Sequence, residues 1–166
     1  MKQRIILWLV ATSLVLVPVT SFGQKPANNG SDAKAAVKAF YAFHFQHKFD
    51  YSLPGLKLRH RWLDENLYRL LVAELKKPVK PDEVPDLDGD PFTNSQEYPN
   101  GFRVGKSEQD GKLATVDVIF FWKDKKKVLD TKRVKVQLAK SAEGWKIANV
   151  IAEGGDDLIK FLKRGR

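Results

Sequence analysis

The first apolar stretch, residues 5–17 (IILWLVATSLVLV), carries no charge and follows the basic residues Lys2 and Arg4. Pro18 then ends any helix, and Ser21-Phe22-Gly23 places small residues at the two positions that a signal peptidase reads. A basic start, an apolar core and a small-residue exit make up a secretory signal peptide. The core is also too short for the ~20 apolar residues that a helix needs to cross a bilayer. The pattern therefore predicts a signal peptide over residues 1–23, cleaved after Gly23. It predicts no transmembrane segment once that peptide is removed, and a soluble protein exported to the periplasm or the extracellular medium.

Residues 24–31 (QKPANNGS) show no apolar period and read as a flexible leader. Ser31 and Asp32 are candidate caps for a helix over residues 32–49. Within it Ala33, Val37, Phe40, Tyr41, His44 and Lys48 recur at three- and four-residue steps, beside Ala36, Phe43 and His47. So wide an apolar face needs a large partner. YSLPG at residues 51–55 breaks the chain, and a second helical region follows over residues 56–76, with Asp64 placed to cap a second piece. Its stripe is Leu63, Leu67, Leu70, Leu71 and Leu75. Residues 78–100 hold five prolines and a cluster of acids, fit no period, and read as a long ordered loop.

Beyond that loop the period changes to two. Val116, Val118, Phe120 and Trp122 alternate with Asp117, Ile119 and Phe121; Val134, Val136 and Leu138 alternate with Lys135 and Gln137. Trp145, Ile147 and Ile151 alternate with Lys146, Ala148 and Val150, and a weaker strand spans residues 102–107. Turns at Asp110-Gly111 and Glu143-Gly144 make these four strands an antiparallel meander. A short helix over residues 156–163 closes the chain after Gly154-Gly155. Helices followed by a run of strands predict an α+β domain over residues 32–164, with N-terminal helices on one face of a four-stranded antiparallel sheet.

Composition narrows the chemistry. The chain has 166 residues, a length for one domain. It has no cysteine, which excludes disulfides, thiolate metal sites, thiol nucleophiles and a lipidated N-terminal cysteine. Its formal net charge is +9, and loss of Lys2 and Arg4 with the signal peptide leaves 27 basic against 20 acidic side chains. An exported basic protein does not meet nucleic acid as its ordinary partner; its polyanions are phospholipid headgroups, lipopolysaccharide and wall polymers.

VKAFY at residues 37–41, DGDPFTNSQEYP at residues 88–99, GWKIANV at residues 144–150 and DLIKFLKR at residues 157–164 occur in that order. In this the chain resembles the bacterial exported family called domain of unknown function 3828. That family is itself similar to the larger nuclear-transport-factor-2-like, or cone, fold. The likeness covers nearly all of residues 33–164, through loose motifs. The family's loop closes on Gln-Asp where this chain has Gln96-Glu97. The resemblance implies a curved sheet wrapping the first helix, with a pocket approached by Tyr41, His44 and Phe45 and by inward strand residues. It implies no assigned activity.

Several side-chain sets carry candidate chemistry. Asp86, Asp88, Asp90, Asn94 and Glu97 fall at oxygen-ligand spacings of a calcium loop, although Pro91 occupies the place that wants glycine. The competing reading is a solvated acidic turn whose carboxylates cap backbone N–H groups. His44 and His47 lie three apart, with His60 beyond, yet no third zinc ligand is fixed by spacing. His44 with Tyr41 is the candidate acid–base pair, and Asp117 reads as an outward residue facing Lys135. No G-x-S-x-G elbow and no phosphate-binding glycine loop is present. Residues 123–135 (KDKKKVLDTKRVK) hold seven Lys or Arg against Asp124 and Asp130. They offer either weak contact with an anionic surface or protection of an exposed strand edge.

The sequence thus predicts a domain that binds an unknown small molecule or a protein of the cell envelope, without a cofactor, as a monomer or homodimer. Tyr41, His44, Phe120 and Trp122 are placed in its pocket, and Asp88, Asp90, Gln96 and Glu97 on the rim. The alternatives are a cofactor-free lyase or isomerase using His44, and an inhibitor or immunity-type partner acting through the loop of residues 78–100.

Overall fold

The computed structural model describes residues 30–78 and 87–164. The expected signal peptide, the start of the leader and Asp86 lie outside the described residues. The first helix, α1 (Gly30–Gln46), begins ahead of its expected caps, so that Asp32 lies in its first turn. It ends before Phe49 because Lys48 and Phe49 take left-handed φ values of 49° and 57°. The Phe49 N–H closes the last turn on the His44 carbonyl at 3.1 Å.

The second helical region is broken as its polar residues require. Ser52 caps α2 (Leu53–Arg59) by accepting from Gly55 N–H at 3.1 Å. A 3-10 turn over His60–Trp62 follows, and Asp64 caps α3 (Glu65–Leu75) through Asn66 N–H at 3.0 Å. Leu67, Leu70 and Leu71 of α3 are buried, as is Leu63 before it.

Strands β1 (Gly101–Asp110), β2 (Leu113–Asp124), β3 (Lys127–Ser141) and β4 (Gly144–Ala152) form one curved antiparallel sheet in the order β1-β2-β3-β4. Gly111 and Gly144 turn the first and last hairpins with positive φ of 54° and 112°. Val116, Val118 and Phe120 of β2, with Val134, Val136 and Leu138 of β3, face the helices and are buried. Their partners in the core are Ala33, Val37, Phe40 and Tyr41 of α1. Asp117 stands opposite Lys135 on the other face, as its alternation implies.

Strand β4 departs from simple alternation. Leu138 pairs with Ile147 but Gln137 pairs with Asn149, so Ala148 is an extra residue in a bulge. The bulge inverts the parity beyond it: Val150 is buried, and Ile151, expected inside, is half-buried. It also turns Asn149 inward, 7% exposed. The Asn149 side-chain Oδ1 accepts from Val150 N–H at 2.9 Å and Ile159 N–H at 3.1 Å, and its Nδ2 donates to Asp157 Oδ1 at 3.1 Å. Asp157 caps α4 (Leu158–Lys163) through Lys160 N–H at 3.0 Å. Asn149 therefore holds the last helix to the sheet. Asn149→Ala is expected to cost about 2 kcal/mol, because it leaves buried backbone donors unpaired. Amide exchange should show the loss of protection concentrated in α4. Among the described residues no helix is long and apolar enough to cross a membrane.

Candidate functional site

Tyr41 and His44 project from one side of α1, and the described part of the acidic loop, from residue 87 onward, lies across them. The His44 Nε2 atom is 2.9 Å from Asp90 Oδ2, and both side chains are fully enclosed. On the other side of the ring, Arg59 Nε donates to His44 Nδ1 at 2.8 Å. A guanidinium N–H always carries its proton, so Nδ1 must be the acceptor. The ring is thereby held as the neutral tautomer that donates from Nε2 to the carboxylate. One imidazole relays between a buried cation and a buried anion, neither of which reaches solvent: Arg59 is 0% exposed and Asp90 2%.

Asp90 is also bonded within its own loop. Oδ2 accepts from Thr93 N–H at 3.1 Å and Thr93 Oγ1 at 2.6 Å, and Oδ1 accepts from Phe92 N–H at 3.3 Å. Since the threonine hydroxyl donates to Asp90, Ser95 Oγ donates to it in turn, at 2.7 Å. The Asp90 N–H closes the turn on the Ser95 carbonyl at 2.9 Å. One helical turn from His44, the Tyr41 hydroxyl donates to the Phe92 carbonyl at 2.7 Å. The loop is stapled to α1 at two points. Phe40 stacks on His44 at 5.5 Å between centroids, while Phe49 and Phe92 meet it edge-on at 4.9 and 5.3 Å.

The electrostatics follow from this burial. Removal from water, reinforced by the Asp90 charge, pushes the Tyr41 phenol well above its ordinary pKa. Burial does the same to Tyr51, with Glu74 and Asp90 adding to it. Burial holds the Arg59 guanidinium below its ordinary value, against the opposing pull of Asp90 and Asp50. Arg59 also donates from Nη1 to the Gly55 carbonyl at 2.8 Å and lies over the Phe43 ring at 5.7 Å.

The expected pocket and rim residues divide into two places. Tyr41, His44 and Phe120 form solid core, each 0% exposed, and Trp122 is half-buried beside it. Asp90 joins them from below the rim. With both ring nitrogens bonded to protein and the Tyr41 hydroxyl given to Phe92, this cluster builds structure in the conformation described. Asp88 and Gln96 are exposed and bonded to each other, Gln96 Nε2 donating to Asp88 Oδ2 at 2.5 Å. Glu97 is exposed. The other histidines are dispersed: His47 stacks on Phe43 at 3.7 Å, and His60 pairs with Glu65 at 2.9 Å. Among the described residues no three His, Asp or Glu side chains converge to hold a metal.

Asp88 and Gln96 face a cleft of about 580 Å³ between the loop, the end of β4 and α4. Lys132, Lys160 and Arg164 supply the opposite charge, Asp156 adds to the acidic side, and Val150, Leu158 and Phe161 supply apolar lining. Lys132 reaches across from β3 and donates to the Asn94 carbonyl, which fixes the loop from its outer side. A broader, shallower groove of about 1150 Å³ lies on another side of the domain, between α2, the 3-10 turn and the β3–β4 turn. It shares no residue with the buried relay, whereas the relay braces the wall of the smaller cleft through Asp90.

Arg59, Thr93 and Lys132 are contributors that sequence reasoning passed over. Arg59 had a readable signal. It falls between Leu56 and Leu63 at steps of three and four, a cation on an apolar stripe. Thr93 and Lys132 carried none, because their roles arise only when the loop folds back. No family model matches the chain, and no curated protein matches it.

Proposed function

We propose that this chain is an exported, soluble binding domain whose ligand site is the cleft between the Asp88–Gln96 wall and α4. The observation that supports it is the pairing of an open polar cleft with a rigid wall. The turn of residues 90–95 is bonded internally, braced by His44 and Tyr41 from beneath and by Lys132 from outside. Such a wall keeps its shape without a ligand, which lowers the ordering cost of binding. The lining suits a small polar molecule bearing both an anionic group, for the lysines and Arg164, and hydroxyls or amides, for Asp88 and Gln96. The N-terminal pattern supports export. The order of elements, helices and then a four-stranded meander, supports kinship with the cone-fold exported family.

Native mass spectrometry of the chain, expressed with its own N-terminus in a bacterial host, tests this reading. The expected spectrum shows loss of residues 1–23 and a mass excess that survives chelator but leaves on denaturation. The triple variant Q96A/K160A/R164A changes exposed side chains only. It should keep the circular dichroism of the parent and lose the excess. A chelator-sensitive excess, or one retained by the triple variant, would place the ligand elsewhere.

A further inference from the structure

The β2–β3 hairpin is longer than the sheet that contains it. Strand β1 pairs with β2 only as far as Gly101 opposite Phe121, with the Asn100 side chain bonding the Lys123 backbone just beyond. Strand β4 pairs with β3 only from Ala152 opposite Val134. Residues 124–131 therefore continue as a two-stranded ribbon flanked by no other described strand. The ribbon tip turns at Lys125, φ 53°, and carries Lys125, Lys126 and Lys127, all exposed. Immediately behind them Val128 and Leu129 stand 47% and 61% exposed. A bulge opposite Trp122 and Lys123 distorts the ladder there.

Two readings of the lysines were open: docking or edge protection. Lysine alone serves protection, because a charged unpaired edge resists pairing with another sheet. A protective edge would not also display a valine and a leucine at its extremity. Cations and exposed apolar residues together are the two signals that stable attachment to an anionic membrane requires, charge to hold the headgroups and aliphatic side chains to enter the interface. The cations continue along the same hairpin at Lys123, Arg133 and Lys135, all exposed. A narrow projecting ribbon has little area for a protein partner, whereas a bilayer surface needs only its end. We propose that the β2–β3 arm docks the protein on bilayers containing anionic phospholipid, with Val128 and Leu129 entering the headgroup region and the tip lysines binding phosphodiesters.

The test is flotation of the purified chain with vesicles of phosphatidylcholine, alone or with about 30% phosphatidylglycerol. Binding is expected only to the anionic vesicles, and to fall roughly tenfold or more when salt rises enough to shorten the screening length several-fold. K125E/K126E/K127E should abolish it. V128S/L129S should weaken it by about tenfold at unchanged charge. The chain has no cysteine, so L129C carries a single environment-sensitive fluorophore, which should shift to the blue on anionic vesicles. All these positions are exposed, so the circular dichroism of each variant should match the parent. Equal binding to both vesicle types would overturn the proposal. So would binding that the arm variants leave intact, which would assign it to another part of the chain. Binding without a blue shift would overturn it too, reducing the arm to a diffuse polycation of the kind any acidic partner attracts.

Discussion

Asp90→Asn is expected to destabilise the domain by about 3–5 kcal/mol, although the side chain keeps its shape. An amide oxygen in the place of Oδ2 can still accept from His44 and from both Thr93 donors, so most of the hydrogen bonds survive in kind and only the longer one from Phe92 N–H to Oδ1 is lost. What disappears is the negative charge at one nitrogen of His44, while the Arg59 guanidinium stays buried at the other. An uncompensated buried cation is among the costliest defects a core can carry. Arg59→Met removes the opposite charge and should cost a similar amount. In the double variant both charges are gone, and the total loss should fall short of the sum by more than about 1 kcal/mol. Urea midpoints of the four proteins measure this. Additive losses would mean that the imidazole does not couple the two charges, and that Asp90 serves only to shape its own turn.

The same residues show what a linear reading can and cannot reach. The alternation Val116, Val118, Phe120 was legible because a strand with one buried face imposes period two wherever it runs. Asp64 was legible because capping is local: the side chain and the N–H it accepts lie two residues apart. Ser52, in a segment read only as a chain break, caps a helix that starts three residues earlier than expected. His44 on an apolar stripe and Asp90 in the acidic loop were both marked as candidates, yet their meeting was not legible. They are 46 positions apart, and nothing in either segment encodes the approach. The pocket expected around Tyr41 and Phe120 fills with the aromatic side chains themselves, Phe92 from the loop completing it. Ala148 failed for another reason. A bulge adds one residue without any apolar signature, and it inverts every later assignment on that strand.

That division bears on the cleft. Its polar wall came from residues already marked as a rim, Asp88, Asp90 and Gln96, but their roles separate by depth. Asp90 is 2% exposed and holds the wall, whereas Asp88 and Gln96 stand in solvent and face the cleft. Substitutions at Asp90 or His44 are therefore read first as stability changes, and substitutions at Gln96, Lys160 or Arg164 as binding changes.

Raising the pH beyond 10 is expected to unfold the domain, through tyrosine ionisation rather than loss of the relay charges. An unfolded tyrosine releases its proton near pH 10. In the fold, burial and the Asp90 charge keep the Tyr41 phenol protonated well above that, and burial with Glu74 and Asp90 does so for Tyr51. Both folded pKa values are raised, so their contribution is complete below the unfolded value and is lost as pH rises past it. Above pH 10 the unfolded state binds up to two fewer protons, and stability falls by about 1.4 kcal/mol per pH unit for each tyrosine. By pH 12 the loss reaches roughly 5 kcal/mol, a large part of the stability of an ordinary domain. Arg59, held low by burial, acts in the opposite sense and offsets part of the loss only at the upper end of this range. Tyr51→Phe separates the ionisation from the packing. Its hydroxyl is buried and makes no hydrogen bond, so the variant should be near neutral at pH 7 and show half the alkaline slope. Tyr41→Phe should also halve the slope, but at a neutral-pH cost of about 1–3 kcal/mol for the unpaired Phe92 carbonyl. Phenolate absorbance tracked beside circular dichroism decides the matter. If either tyrosine ionises near pH 10 while the dichroism stays native, water reaches the phenol and the sealed core beneath the cleft is disproved.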